Sequence, residues 1–71
     1  MNKQQLIKRI TKEHGYPNAE SERILTTILT VIQEELKKGN IVRLRNFGTF
    51  KAKKSHGKLR AKFDDSKNFF Q

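Results

Sequence analysis

Six of the eight cations between Ile41 and Phe63 alternate with apolar residues: Arg43, Arg45, Lys51, Lys53, Arg60 and Lys62. Each has an apolar neighbour. Val42 precedes Arg43, Leu44 precedes Arg45, Phe50 precedes Lys51 and Ala52 precedes Lys53, and the pattern returns in Leu59-Arg60-Ala61-Lys62-Phe63. A period of two is the mark of strands with one face buried. The other face is then almost entirely cationic, with Lys54 and Lys58 close by at the turn between the last two strands. Lysine and arginine on a strand face neutralise phosphates, which gives affinity without reading sequence. Arginine also enters a narrow minor groove.

The whole chain carries a formal charge of +9, unevenly placed. Residues 1–40 hold seven Lys/Arg against five Glu, net +2, and residues 41–71 hold nine against two Asp, net +7. A bland reading makes this a solvated, solubilising surface. Concentration of the charge on one face of one element favours a polyanion partner instead, with nucleic acid the default.

No catalytic constellation accompanies these cations. His14 and His56 stand at a helix end and a turn tip, without Cys, Asp or Glu at metal-ligand spacing. Asp64-Asp65 reads as a cap at a helix start rather than a metal site, and Ser55 has no base placed to activate it. No glycine-rich phosphate loop is present. The reading is therefore a protein that is not an enzyme and needs no metal or cofactor. Phe47, Phe50 and Phe63 suggest base-stacking platforms, but Phe50 and Phe63 share parity with Ala52 and Ala61 and belong to the buried face. Phe47 falls in a turn, where packing against a partner chain is the preferred reading.

The elements that must hold the cations follow from local signals. The 71 residues make one small domain, divided into a helical base over 1–40 and a basic sheet half over 41–71. Asn2 is a good N-cap with Gln5 three residues on. Leu6, Ile7 and Ile10 form a narrow apolar stripe and Gly15 suits the left-handed end, so a first helix is predicted from Lys3 to His14. Either Pro17 takes the first position of a second helix or Asn18 caps it. Ile24, Leu25, Ile28, Leu29, Val31, Ile32 and Leu36 then cover more than one helical face, and a partner chain would supply the missing cover. Gly39 ends that helix. Strands are predicted over Ile41–Arg45, Thr49–Lys54 and Leu59–Phe63, with a tight turn at Ser55–Lys58 in which Gly57 takes positive φ. At most one or two helical turns follow Asp64-Asp65-Ser66. There is no cysteine, no apolar run near the roughly 18 residues of a membrane span and no signal-peptide pattern. The expectation is a cytoplasmic protein with no membrane partner. A core this small also makes self-association reasonable on stability grounds.

Three motifs give these elements a family. M-N-K-x-x-L-I at the start, K-G-N-x-V-x-L after the second helix and then N-F-G-T-F resemble the HU/IHF family of bacterial histone-like DNA-binding proteins. The spacing matches without gaps over roughly residues 1–54, with Leu6, Ile7, Gly39, Val42, Leu44, Phe47, Gly48, Thr49 and Phe50 on the pattern. Phe63 and Lys67 also match the family's segment entering its last helix, although Ser66 stands where glycine is usual.

The resemblance implies an α+β fold in an intertwined homodimer: two helices, then a three-stranded antiparallel sheet and a short C-terminal helical turn. Ile28, Leu29, Ile32, Leu36, Leu44, Phe47, Phe50 and Phe63 would form core and dimer contacts. It also implies nucleoid localisation and architectural, largely sequence-independent binding of duplex DNA. Lys3 and Lys67 would touch phosphate, with Arg43, Arg45, Lys51, Lys53, Lys54, Lys58, Arg60 and Lys62 along the saddle. Two departures stand out. The family carries a long β-ribbon arm between its second and third strands, tipped by a proline that wedges between base pairs. Here twelve residues separate Phe50 from Phe63 and the sole proline is Pro17, so arm-dependent kinking is not expected. The last helix is also shorter than the family's. The alternative reading is an interaction protein that heterodimerises with full-length HU or IHF subunits and modulates their DNA binding.

Overall fold

Caps set the helix boundaries. In the computed structural model, which describes residues 1–71, the Asn2 side chain accepts from the Gln5 N–H at 3.0 Å and Gln5 Oε1 accepts from the Asn2 N–H at 2.9 Å. This reciprocal capping box satisfies two otherwise orphaned donors at the start of α1 (Lys3–His14). Gly15 closes α1 with φ 73° and donates to the Thr11 carbonyl. The second helix, α2 (Asn18–Lys37), begins directly after Pro17. Neither arrangement expected at this turn is found: Asn18 is already helical, and Pro17 stands one residue earlier, its carbonyl accepting from the Ser21 N–H at 3.0 Å. Proline suits that place because the residue preceding a helix needs no N–H of its own for the helix. At the other end the Asn40 N–H reaches the Glu35 carbonyl and the Gly39 N–H the Leu36 carbonyl, both at 3.0 Å. That pair of bonds is a Schellman motif, and it requires the positive φ of 87° that Gly39 adopts.

The chain divides within α2 into two compact units, Met1–Thr30 and Val31–Gln71. In the first, Ile7 and Leu25 are buried. Ser21 is fully buried, and its hydroxyl is satisfied by Thr11 Oγ1 at 2.9 Å. Lys3 Nζ donates to Thr26 Oγ1 at 3.1 Å.

The second unit holds the end of α2 and a three-stranded antiparallel sheet in the order β1 (Val42–Leu44), β2 (Gly48–Ser55), β3 (Lys58–Asp65). The first strand is shorter than its alternation suggests, and the other two are longer. Asp64 and Asp65 do not start a helix. They continue β3, facing Thr49 and Gly48, because β2 still offers ladder partners there. A two-residue turn, His56-Gly57, joins β2 to β3 with φ 50° and 78°. Positive φ at both central residues is what a type I′ hairpin turn demands, and its twist matches the strands. After β3 the Ser66 N–H binds the Phe47 carbonyl at 2.9 Å. Bonds from the Phe69 N–H to the Ser66 carbonyl and from the Gln71 N–H to the Asn68 carbonyl then make a single short turn.

Candidate nucleic-acid interface

Residues directly opposite in an antiparallel ladder project to the same face. Register therefore decides which cations keep company. Arg43, Thr49 and Asp64 form one row across the sheet. Lys51 faces Lys62 in the next row, Lys53 faces Arg60, and Ser55 faces Lys58 beside the turn. Six of the expected cations thus share one face of the sheet: Arg43, Lys51, Lys53, Lys58, Arg60 and Lys62. Arg45 lies just beyond β1 in the turn to β2. Lys67 lies in the turn after β3, at the same end of the sheet. Lys54 pairs with Leu59 on the opposite face, and Lys3 is held in the helical unit by Thr26.

Sequence reasoning missed the anion in this face. Asp64, expected as a cap, lies 2.7 Å from Lys51 Nζ and 3.9 Å from Lys62 Nζ. Its carboxyl is held below the ordinary value of 3.8, first by the hydrogen bond from Lys51, with partial burial opposing and the charges of Lys51 and Lys62 adding to the lowering. These are the sheet's only ion pairs, so Arg43, Lys53, Lys58 and Arg60 carry unpaired charge. Strand parity from Phe63 onward was the available signal: Asp64 follows Lys62 by two positions and had to share its face if the strand continued.

The reverse face is apolar. Val42, Phe50 and Phe63 share a row, as do Ala52 and Ala61. Phe47 packs on Phe50, Phe63 and Phe69, with ring centroids 6.4, 5.3 and 4.9 Å away, and Phe50 meets Phe63 at 4.9 Å. Phe47 therefore has partners within its own chain, although it stays 44% exposed. Phe69, not singled out by any sequence pattern, completes the cluster. Gly48 lies beneath it. A β-carbon there would come within 2.5 Å of the Phe63 ring and 2.6 Å of the Asp64 carbonyl oxygen. In the single chain this face is only partly covered. Phe63 is 39% exposed and Leu44 40%, while Phe50 is half-buried. Of the residues expected in core or dimer contacts only Leu36 is buried. Ile32 is intermediate, and Ile28 and Leu29 are exposed. Leu36 also lines an open groove of about 210 Å³ with Gln33, Lys37, Ala52, Leu59, Arg60 and Ala61. No three acidic, histidine or cysteine side chains come together as a metal-sized group, and no helix is long and apolar enough to cross a membrane.

A family model described as "Bacterial DNA-binding protein" matches residues 1–64. The chain belongs to this bacterial DNA-binding protein family, that of HU. Among curated HU relatives, DNA-binding protein HU of Thermotoga maritima is 40% identical over 55 residues, which cover 78% of this chain and 61% of that protein. HU of Buchnera aphidicola is 45% identical over 51 residues, covering 72% and 55%. The chain thus matches little more than half the length of these HU proteins. The solved structure of Thermotoga maritima HU superposes with a TM-score of 0.82 at 37% identity, covering 96% of this chain and 91% of that one. The HU of an Anabaena HU–DNA cocrystal shares the fold, with a TM-score of 0.83 at 21% identity, covering 97% and 92%. The HU-like α+β architecture of helices followed by an antiparallel sheet is therefore the fold of this chain.

Proposed function

We propose that this chain is an architectural DNA-binding protein: a homodimer that grips duplex DNA through the cationic sheet face, largely regardless of sequence. The observation that carries the reading is the register, which gathers Arg43, Lys51, Lys53, Lys58, Arg60 and Lys62 on one face. Cations spaced along strands suit phosphates and have no fixed relation to base edges, so they favour affinity over specificity. Family membership and the HU–DNA cocrystal of a fold relative lend weight. Arg45, Lys67 and Lys3 are proposed as outlying phosphate contacts, and Lys54 as one reaching around the hairpin tip.

The hairpin ends at His56-Gly57 and carries no proline, so the dimer binds without wedging base steps apart. The exposed apolar residues of α2 and of the reverse sheet face suit cover by a second copy, and binding chromosomal DNA in this way would make the protein a cytoplasmic, nucleoid component. No residue is assigned a catalytic role.

The test is a titration of a fluorescent duplex of about 30 base pairs at two salt concentrations, beside an unrelated duplex of equal length. Equal affinities that fall steeply with salt are expected, since each phosphate contact contributes about one unit to the slope of log affinity against log salt. Replacing Arg43, Arg45 and Arg60 with Ala weakens both duplexes alike. Absence of binding at low salt sinks the reading. It then favours the second one, pairing with a full-length HU or IHF subunit, for which the exposed apolar surface and short hairpin are the supporting observations. Native mass spectrometry of the mixed chains checks it.

A further inference from the structure

The anion embedded in the cationic face has a consequence for how that face engages DNA. Asp64 is the only acidic side chain on it, and it takes the two cations nearest to it, Lys51 at 2.7 Å and Lys62 at 3.9 Å. Its neighbour Asp65 points to the opposite face, in the row of Gly48. A carboxylate oxygen and a phosphate oxygen make the same demand on a lysine ammonium, a short charge-assisted hydrogen bond. Lys51 at 2.7 Å is so engaged, while Lys62 at 3.9 Å is held by charge alone, and each has given up part of what it would offer to a phosphate. Lys53, Lys58 and Arg60, toward the hairpin turn, have no such partner, and neither does Arg43, which shares the row of Asp64 on the edge strand.

We propose that Asp64 is an internal stand-in for a DNA phosphate, holding Lys51 and Lys62 in the free protein and yielding them only when the duplex backbone displaces it. The proposal rests on the DNA-binding reading of this face. It divides the face into two zones. The free cations near the hairpin make first contact, and the Lys51–Lys62 row is recruited at the cost of its pair with Asp64. Asp64 thus grades affinity downward and keeps a sequence-tolerant binder readily exchangeable.

The experiment compares wild type, Asp64→Asn, Asp64→Ser and Asp65→Asn on the same duplex at two salt concentrations, with circular dichroism to establish that each is folded. Asp65→Asn makes the same change in net charge one residue away, on the other face. The Asp64 variants are expected to bind about three- to tenfold tighter at low salt, with a salt slope steeper by about one unit, while Asp65→Asn stays within about twofold of wild type. Lys51→Ala is expected to weaken binding more in the Asp64→Asn background than in wild type, because only there is Lys51 already free. Wild-type affinity in both Asp64 variants, or an equal gain from Asp65→Asn, overturns the role of Asp64 and leaves DNA binding standing. Failure of wild type and Asp64→Asn alike to bind at low salt overturns the DNA reading itself.

Discussion

Gly48 shows how narrow the tolerance is where the sheet carries its aromatic cluster. Its α-carbon lies against the Phe63 ring and the Asp64 carbonyl, and an added methyl would meet both at about van der Waals-forbidden range, 2.5 and 2.6 Å. The ring can tilt, but the carbonyl is fixed in the β2–β3 ladder. Gly48→Ala should therefore lose about 1–3 kcal/mol in urea denaturation, with no contribution from backbone strain, since Gly48 is not among the positive-φ glycines. Asp64 makes a second residue-scale prediction. Its carboxyl is held below the unfolded value, so the stability it contributes is present above that value and is lost as pH falls through the lowered one. Asp64→Asn should give up that contribution at neutral pH and match wild type at the acid end, where the carboxylate is already protonated, so its stability–pH profile is flatter below about pH 4, the carboxylate range. A thermal melt series from pH 7 down to acid reads this directly.

At the scale of elements, the helices were legible because their ends are written locally. Asn2 with Gln5, and Gly15 and Gly39 in left-handed geometry, announce boundaries within a few residues of themselves. Removing one such signal should be measurable: Asn2→Ala gives up the capping box and should cost about 0.5–2 kcal/mol in thermal or chemical unfolding. The sheet was legible in its period and less so in its extent. Asp64 and Asp65 have turn-forming side chains, and nothing adjacent reveals that Thr49 and Gly48 extend the ladder to meet them. Phe69 was overlooked for the same reason, since its partner Phe47 is brought near by a hydrogen bond from Ser66 to Phe47 rather than by any repeat. The hairpin lies between these cases. Gly57 was readable, whereas His56 also adopts positive φ, at 50°. Asparagine takes that conformation more readily, so His56→Asn should stabilise the chain by a few tenths to about 1 kcal/mol, seen as a higher melting temperature.

For the whole molecule, the decisive quantity is how little one chain buries. Ile7, Leu25 and Leu36 are its only buried large apolar side chains, while Ile28, Leu29, Val31, Leu59 and Phe63 remain exposed. A second copy that covers them would make the melting temperature rise with protein concentration, and sedimentation velocity over the same range should show the matching association. The cationic face adds a different consequence. Lys51 confronts Lys62, and Lys53 confronts Arg60, directly across the β2–β3 ladder. Like charges so placed work against strand pairing, in full for Lys53 and Arg60 and partly offset by Asp64 for Lys51 and Lys62. The sheet is therefore built under electrostatic tension that any polyanion relieves. Simple salt would then act in opposite senses on the two properties of one surface: screening eases the repulsion and steadies the hairpin, while on the proposed reading the same ions weaken DNA binding.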